Sequence, residues 1–194
     1  MHSQTLAKEA DISYTRFIRT TESSHYDAVK HVWAALVSKG LIYQATYSGW
    51  YSVTDECFYT DSQITSSIES PDCKVAIETG SAVEYSSETN YMFRLSAFRD
   101  PLLQHYQTIQ PASVFPETHR ARLQETLENG VLEDISVSRP RSRLSWGIPV
   151  PGDEEHTMYV WIDALINYLT VVGYPETTNA WPPDIQLIGK DIVR

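Results

Sequence analysis

The last third of the chain contains the pattern that most restricts its fold: an apolar run, a helical stripe and a second apolar run. These segments are residues 158–162, 164–172 and 185–188, and a glycine follows at position 189. Short apolar runs rich in β-branched and aromatic residues are typical of buried strands. A strand–helix–strand order is typical of a parallel sheet covered by helices, so we predict an α/β fold.

Ligands of parallel sheets bind beyond the carboxyl ends of the strands. In this sequence Trp161 and Asp163 end the first apolar run, and residues 189–191 (Gly-Lys-Asp) end the second. The pattern therefore predicts a pocket formed by both segments, although it indicates no reaction. Asp163 also stands just before the predicted helix, where a carboxylate is a common N-cap, and we predict that role for it.

The first two thirds of the chain combine helices with short strands. Apolar residues recur with helical spacing over residues 25–39, and Gly40 follows as a helix stop. Further helices are predicted over residues 95–108 and 116–128. A turn is predicted at Ser48-Gly49. Three segments between these features are rich in strand-forming residues: 41–51, 57–60 and 83–85.

Composition and charge argue against several kinds of partner. The 194 residues carry a net charge of −10, which argues against a generally basic surface for nucleic acid. No run approaches the roughly 20 apolar residues that a membrane span needs, and the first residues show no signal or transit pattern. Cys57 and Cys73 form no CxxC pair, and we predict both as reduced thiols. We therefore predict no membrane and no DNA partner.

Six phrases of the sequence resemble the methionyl-tRNA synthetase family, most closely its mitochondrial type. The longest is SVSRPRSRLSWGIPVP, and YVWIDALINY and IGKDIV follow it. The upstream phrases FIRTT, YSGWYSV and NYMFRL also occur in the family's order. In the order quoted, the phrases occupy residues 136–151, 159–168, 188–193, 17–21, 47–53 and 90–95. The resemblance therefore extends over nearly the whole chain.

The resemblance implies a partial class I synthetase fold, in which a small β-rich connective insert and helices interrupt a Rossmann-like catalytic core. It divides the chain into a helical segment of the catalytic core, the insert, a helical return segment and the second half of the core, truncated before the KMSKS-type loop. The predicted bounds of these four parts are residues 1–40, 41–95, 96–133 and 134–194.

The resemblance also implies a two-step reaction. Methionine attacks ATP to give methionyl-adenylate and pyrophosphate, and the methionyl group then passes to the terminal ribose of tRNA(Met). ATP is thus an implied substrate, and Mg²⁺ an implied cofactor. The family uses HIGH-type and KMSKS-type motifs to stabilise the developing charge. Neither motif occurs in this sequence. We therefore predict no catalytic residue here, and no adenylate formation by residues 1–194 alone.

Four residues match positions of the family's methionine pocket: Trp161, Leu165, Tyr168 and Ile192. Trp161 matches an aromatic wall of that pocket, and a thioether packs well on an aromatic ring. Without the resemblance, a tryptophan in a protein core is the simpler interpretation. Tyr168 follows seven residues later, two turns along a helix, and so faces the same side. Leu165 stands where other branches often have proline, which indicates a different pocket shape.

The resemblance assigns two further sites. Gly189, Lys190 and Asp191 match a turn that contacts the adenosine part of ATP or the adenylate, although such a tripeptide is also a common turn. A glycine allows close approach of the backbone, and a carboxylate accepts hydrogen bonds from ribose hydroxyls. Arg139 matches an arginine near the reacting 3′ end of the tRNA. The simpler interpretation is a surface arginine.

Many members of the family carry zinc-binding cysteines in the insert. The positions that would hold a CxxC pair are Ser52 and Asp55 in this chain. A hydroxyl and a carboxylate are poor substitutes for two thiolates at a structural zinc. We therefore predict an insert without structural zinc, and no metal site elsewhere.

Two interpretations of the function stay open at this point. The chain is either a piece of an active ligase, or a non-catalytic module that binds the acceptor end of tRNA or a partner protein. Class I synthetases with large editing inserts fit less well, because residues 41–130 leave no room for such an insert. The residues of these motifs and the missing zinc cysteines resemble the mitochondrial type, which implies the mitochondrial matrix as the location.

Overall fold

The computed structural model describes residues 2–55, 57–67, 70–110, 112–130, 132–177 and 179–189. The α-helices within these residues are α1 (His2–Glu9), α2 (Ser23–Ser38), α3 (Arg99–Gln104), α4 (Glu117–Asn129) and α5 (Val160–Thr170). Short 3₁₀ turns occur at Asp61–Gln63 and Leu95–Phe98, and a π-helical turn at His105–Ile109. The helix predicted over residues 25–39 is therefore confirmed as α2. Gly40 follows it with a φ of +67°, as expected of a helix stop.

Nine strands are described in these residues, and they form two sheets. The strands are β1 (Ile42–Ser52), β2 (Cys57–Tyr59), β3 (Ile64–Ser66), β4 (Lys74–Ala76), β5 (Ala82–Phe93), β6 (Ile135–Ser136), β7 (Ser138–Pro140), β8 (Pro149–Val150) and β9 (Asp153–Met158). The larger sheet has the order β2-β1-β5-β4-β3, with β6 also paired to β5. The smaller sheet has the order β7-β9-β8.

The long antiparallel pair β1–β5 dominates the larger sheet. Its register runs without interruption from Ile42 opposite Phe93 to Tyr51 opposite Glu84. The turn predicted at Ser48-Gly49 was wrong, because both residues lie inside β1 and pair with residues 86–87 of β5. Because β5 runs alongside β1 without a break, it provides partners for the backbone hydrogen-bonding groups of Ser48 and Gly49, which a turn would leave unpaired.

Two hydrogen bonds join the larger sheet to the smaller one. The amide of Tyr91 donates to Oγ of the buried Ser138, and the amide of Val137 donates to the carbonyl of Tyr91, each over 2.8 Å. The smaller sheet in turn packs on α2 and α5 around one apolar core. This core consists of Val29, Trp33, Ile42, Val137, Ile148, Val150, Met158 and Ile162. The hairpin, the smaller sheet and the two helices are thereby fixed relative to one another.

The mixed α/β class is confirmed, but the predicted parallel strand–helix–strand unit was wrong. Every strand pairing among the described residues is antiparallel. Residues 185–189 form no strand, and Leu187 is 90% exposed, because no described strand lies beside them to pair with or cover them. None of the described helices has the length and apolarity to cross a lipid bilayer. The four-part division of the chain stays a prediction.

Candidate functional site

Helix α5 carries three of the four residues predicted to form the methionine pocket, which are Trp161, Leu165 and Tyr168. Strand β9 ends at Met158, and α5 begins at Val160 after the extended residue Tyr159. Trp161 therefore lies on the first turn of a helix and not at the end of a strand, which corrects the prediction from sequence. Asp163 is also inside this helix, so the N-cap role predicted for it was wrong.

An open apolar cavity of about 480 Å³ lies beside the first two turns of α5. Side chains from α2, β5, the 3₁₀ turn Leu95–Phe98, the β6–β7 segment and α5 contribute to it. They are Leu36, Phe93, Leu95, Ile135, Val137, Trp161, Ile162, Leu165 and Ile166. Cavities of this size and lining are typical of small-molecule sites. The structure thus brings two predicted site residues, Trp161 and Leu165, to one cavity.

Trp161 and Leu165 both remain partly accessible to solvent. They are 39% and 44% exposed, whereas Ile162 between them is buried. Exposed apolar groups that line a common cavity indicate a surface that contacts another group. Tyr168 lies along the same helical face and is half-buried, but it is not among the residues that line the cavity.

The predicted nucleotide-binding turn is described only at its first residue. Gly189 is exposed, and a Cβ atom added there would meet no other atom within 4 Å. Lys190, Asp191 and the predicted pocket residue Ile192 lie outside the described residues. The predicted wall formed jointly by Trp161 and this turn therefore stays a prediction.

Arg139 is buried and not a surface side chain, since only 6% of the residue is exposed. Its Nη1 donates to Oγ of Ser136 over 2.7 Å and to the carbonyl of Ser138 over 2.9 Å. The guanidinium lies 4.1 Å from the ring centre of Tyr159, the residue just before α5. Its Nε has no hydrogen-bond partner among the described residues. Arg139 therefore supports the chain that leads into α5.

His25 is a buried residue that sequence reasoning did not connect to the site. Its ring is fully buried at the start of α2. Nε2 lies 2.7 Å from Oδ1 of Asp163, and Nδ1 lies 2.9 Å from Oγ1 of Thr170. These partners are 138 and 145 residues away in the chain, so no local pattern could have indicated them.

Asp55, one of the two positions predicted to replace zinc ligands, is the centre of a hydrogen-bond cluster. Its carboxylate accepts hydrogen bonds from the hydroxyls of Tyr59, Thr79 and Ser81 over 2.7–2.9 Å. Its amide donates to Oγ of Ser52, the other predicted position. The hydrogen bond from Thr79, with those from Tyr59 and Ser81, lowers the pKa of the Asp55 carboxyl group. These contacts fit a hydroxyl–carboxylate cluster and do not fit a thiolate zinc site.

Comparison with known proteins places the chain in a family. A family model described as tRNA synthetases class I (M) matches residues 1–194. Two curated relatives are the probable mitochondrial methionine–tRNA ligase of Neurospora crassa and the mitochondrial methionine–tRNA ligase of Mus musculus, each 48% identical. The alignments cover 98% and 97% of this chain but 32% and 33% of the relatives. The chain thus spans about a third of the length of the curated relatives it matches.

A solved structure shows the same relationship in three dimensions. The methionyl-tRNA synthetase of Mycobacterium tuberculosis bound by methionyl-adenylate superimposes with a TM-score of 0.85 at 42% identity. The match covers 99% of this chain and 38% of that one. The predicted partial class I synthetase region is therefore confirmed. Because both the sequence and the fold match over essentially all of its length, the chain belongs to the family of class I tRNA synthetases described as tRNA synthetases class I (M).

Proposed function

We propose that the chain is part of a methionine–tRNA ligase of the mitochondrial matrix. The ligase activates methionine with ATP to methionyl-adenylate and transfers the methionyl group to tRNA(Met). The names of the relatives, which are mitochondrial methionine–tRNA ligases, support this reaction and this location. The matching structure, bound by methionyl-adenylate, supports the same substrates.

The single observation that carries the proposal is the apolar cavity that Trp161 and Leu165 line together. Methionine has an unbranched, polarisable side chain that fills irregular apolar spaces and packs well against aromatic rings. In the proposed site Trp161 provides the aromatic wall and Leu165 an aliphatic one. Tyr168, two turns along α5, is proposed to provide a hydroxyl group near the bound methionine. Ile192 completes the proposed pocket.

The nucleotide is proposed to lie against the turn of Gly189, Lys190 and Asp191. The open space around Gly189 allows a ligand to approach the backbone closely. The Asp191 carboxylate would accept ribose hydroxyl hydrogen bonds, and Lys190 would lie near the phosphates. Mg²⁺, when bound with ATP, would neutralise phosphate charge. Among the described residues no cluster of three or more His, Cys, Asp or Glu side chains could hold it.

Arg139 is proposed to act at the 3′ end of the tRNA. Its guanidinium is mostly buried, but Nε keeps one unused donor among the described residues. This role predicts that Arg139→Lys lowers tRNA charging more than methionine-dependent pyrophosphate exchange. An equal loss in both assays would instead indicate that Arg139 acts only by supporting Tyr159.

Steady-state kinetics of a protein with the relatives' full length and these residues would test the proposed function. Trp161→Ala should raise the KM for methionine by about ten- to one hundred-fold in pyrophosphate exchange, because one wall of the pocket is removed. Trp181→Ala is a matched control, since Trp181 is similarly exposed at 41% and does not line the cavity. An unchanged methionine KM in the Trp161 variant would contradict the proposed pocket.

The same assays separate the ligase from a non-catalytic binding module. A ligase of full length shows methionine-dependent pyrophosphate exchange, whereas a module binds tRNA acceptor ends without any exchange. Residues 1–194 alone should show no exchange above a heat-killed control. Exchange by the isolated chain would overturn that expectation, because the sequence has neither the HIGH-type nor the KMSKS-type motif.

A further inference from the structure

Helix α5 has two functional faces on opposite sides. At about 100° per residue, Trp161, Leu165 and Tyr168 fall on one face. Asp163 and Thr170 fall on the other face, roughly half a turn away, and are separated by two turns of the helix. The first face borders the apolar cavity, and the second face packs against α2.

One buried ring contacts both ends of the second face. Nε2 of His25 meets Oδ1 of Asp163 on the first turn of α5, and Nδ1 meets Oγ1 of Thr170 at its last residue. The ring is fully buried, and the Asp163 side chain is only 17% exposed. A rotation of α5 about its axis would therefore break both contacts.

The ring of His25 lies between two polar groups of α5. The Thr170 hydroxyl lies 2.9 Å from Nδ1 of His25 and 3.1 Å from the carbonyl of Ile166. Oδ1 of Asp163 lies 2.7 Å from Nε2 on the other side of the ring. A carboxylate accepts hydrogen bonds, so Nε2 donates to Asp163. The ring therefore connects the first turn of α5 to its last residue.

We propose that His25 is a positioning residue that fixes the rotation of α5, and with it the direction of Trp161 and Leu165. The link to methionine binding rests on the proposed function. The fixed rotation itself does not, since it follows from two contacts that hold opposite ends of one helical face. His25 lies on the far side of α5 from the cavity, so its effect on a ligand passes through the helix.

Three substitutions at position 25 and one at position 170 test this role in the full-length protein. His25→Ala should raise the methionine KM by about tenfold, with the ATP KM changed less than twofold, because small displacements of binding groups have large effects. His25→Gln, whose amide can still reach Asp163, should recover part of the loss. His25→Asn should keep only the Thr170 contact. Thr170→Val should also raise the methionine KM more than the ATP KM, but by less than His25→Ala does.

His31→Gln is the matched control, because His31 is exposed on the same helix and its ring lies edge-on to the Tyr174 ring. It should leave both KM values unchanged. A folded His25→Ala protein with wild-type methionine KM would overturn the proposal, as would equal increases in both KM values. If His25→Ala does not fold, Thr170→Val decides: an increase confined to the methionine KM supports the role, and no change overturns it.

A second measurement does not depend on the ligase reaction, because it reports the surroundings of the Trp161 ring directly. Fluorine NMR at a 5-fluorotryptophan in position 161 should show a displaced signal in His25→Ala and an unchanged one in His31→Gln. An unchanged signal in His25→Ala would overturn the fixed rotation. If the wild-type protein binds no methionine but this displacement occurs, the proposed function fails while the positioning role holds.

Discussion

The hydroxyl of Thr79 donates a 2.7 Å hydrogen bond to Oδ2 of Asp55. This bond joins the turn after β1 to the turn before β5, and the Tyr59 and Ser81 hydroxyls bond to the same carboxylate. Many relatives were expected to hold this part of the insert with cysteine-bound zinc. In this chain the Asp55 carboxylate and three hydroxyl donors join these two turns without a thiolate.

Asp55→Asn should destabilise the insert. The amide has a single acceptor oxygen and an NH₂ group, so at least one of the three hydroxyls loses its acceptor. The urea midpoint followed by tryptophan fluorescence should fall. Asp72→Asn, at an exposed position, is the charge-matched control and should leave the midpoint unchanged. Equal midpoints for the two variants would show that the cluster contributes nothing to stability.

The stability of the chain should decrease as the pH falls below the ordinary carboxyl range. Hydrogen bonds lower the pKa of Asp55, with Thr79 the largest cause. Burial raises the pKa of Asp134 and Asp153. Hydrogen bonds from Ser96 and Tyr43 to the first carboxyl group together outweigh burial, so its pKa is lowered. Hydrogen bonds from the Glu155 amide, Tyr91 and His156 together lower the pKa of the second in the same way. The ionised carboxylates of these three residues therefore stabilise the folded chain at pH values above the carboxyl pKa of the unfolded chain, about 3.9.

That contribution is fully present above about pH 4 and is lost as the pH falls through the lower folded-state pKa values. Urea midpoints measured between neutral pH and pH 3 should show a decline that begins near pH 4. In Asp55→Asn the decline should be shallower, because one of the three groups no longer titrates. A rise in stability over this range would contradict the assignment.

Local patterns predicted the elements that form by their own periodicity. The apolar stripe of residues 25–39 corresponds to α2, which buries Val29 and Trp33 in the main core. The apolar side chains of this stripe themselves direct one face of the helix toward the core. Trp161 and Leu165 were assigned to one pocket by the family resemblance and not by local periodicity, and the structure places both at one cavity.

Features that depend on distant partners could not be predicted. The sequence Ser48-Gly49 favours a turn locally, but pairing with β5 along the whole strand keeps both residues extended. The residues around Asp163 favour it as an N-cap, but α5 begins three residues earlier, at Val160. The carboxylate of Asp163 lies against the ring of His25 instead. Tertiary contacts outweighed local preference at each of these positions.

Ser138→Ala should lower the free energy of unfolding by about 1–3 kcal/mol, because the Tyr91 amide at the junction of the two sheets loses its acceptor in a buried place. Ser138 is fully buried, and its Oγ accepts that amide over 2.8 Å. Ser142→Ala, at an exposed position near the same sheet, is the control. Urea unfolding of both variants measures the difference, and equal stabilities would mean that water replaces the missing acceptor.

Gly147→Ala should destabilise the smaller sheet for two separate reasons. Gly147 has a φ of +118°, a conformation that residues with a side chain rarely adopt. A Cβ atom there would also lie 2.8 Å from Cγ2 of Thr157 in β9. The backbone strain alone is expected to cost about 1–3 kcal/mol of unfolding free energy.

The two causes can be separated with Thr157→Ser, which removes the Cγ2 atom. The double variant Gly147→Ala with Thr157→Ser should recover only part of the lost stability relative to Thr157→Ser alone, because the strained backbone conformation remains. A double-mutant cycle from urea unfolding gives the coupling between the two positions. Full recovery would assign the whole effect to the steric contact, and no recovery would assign it to the backbone conformation of residue 147.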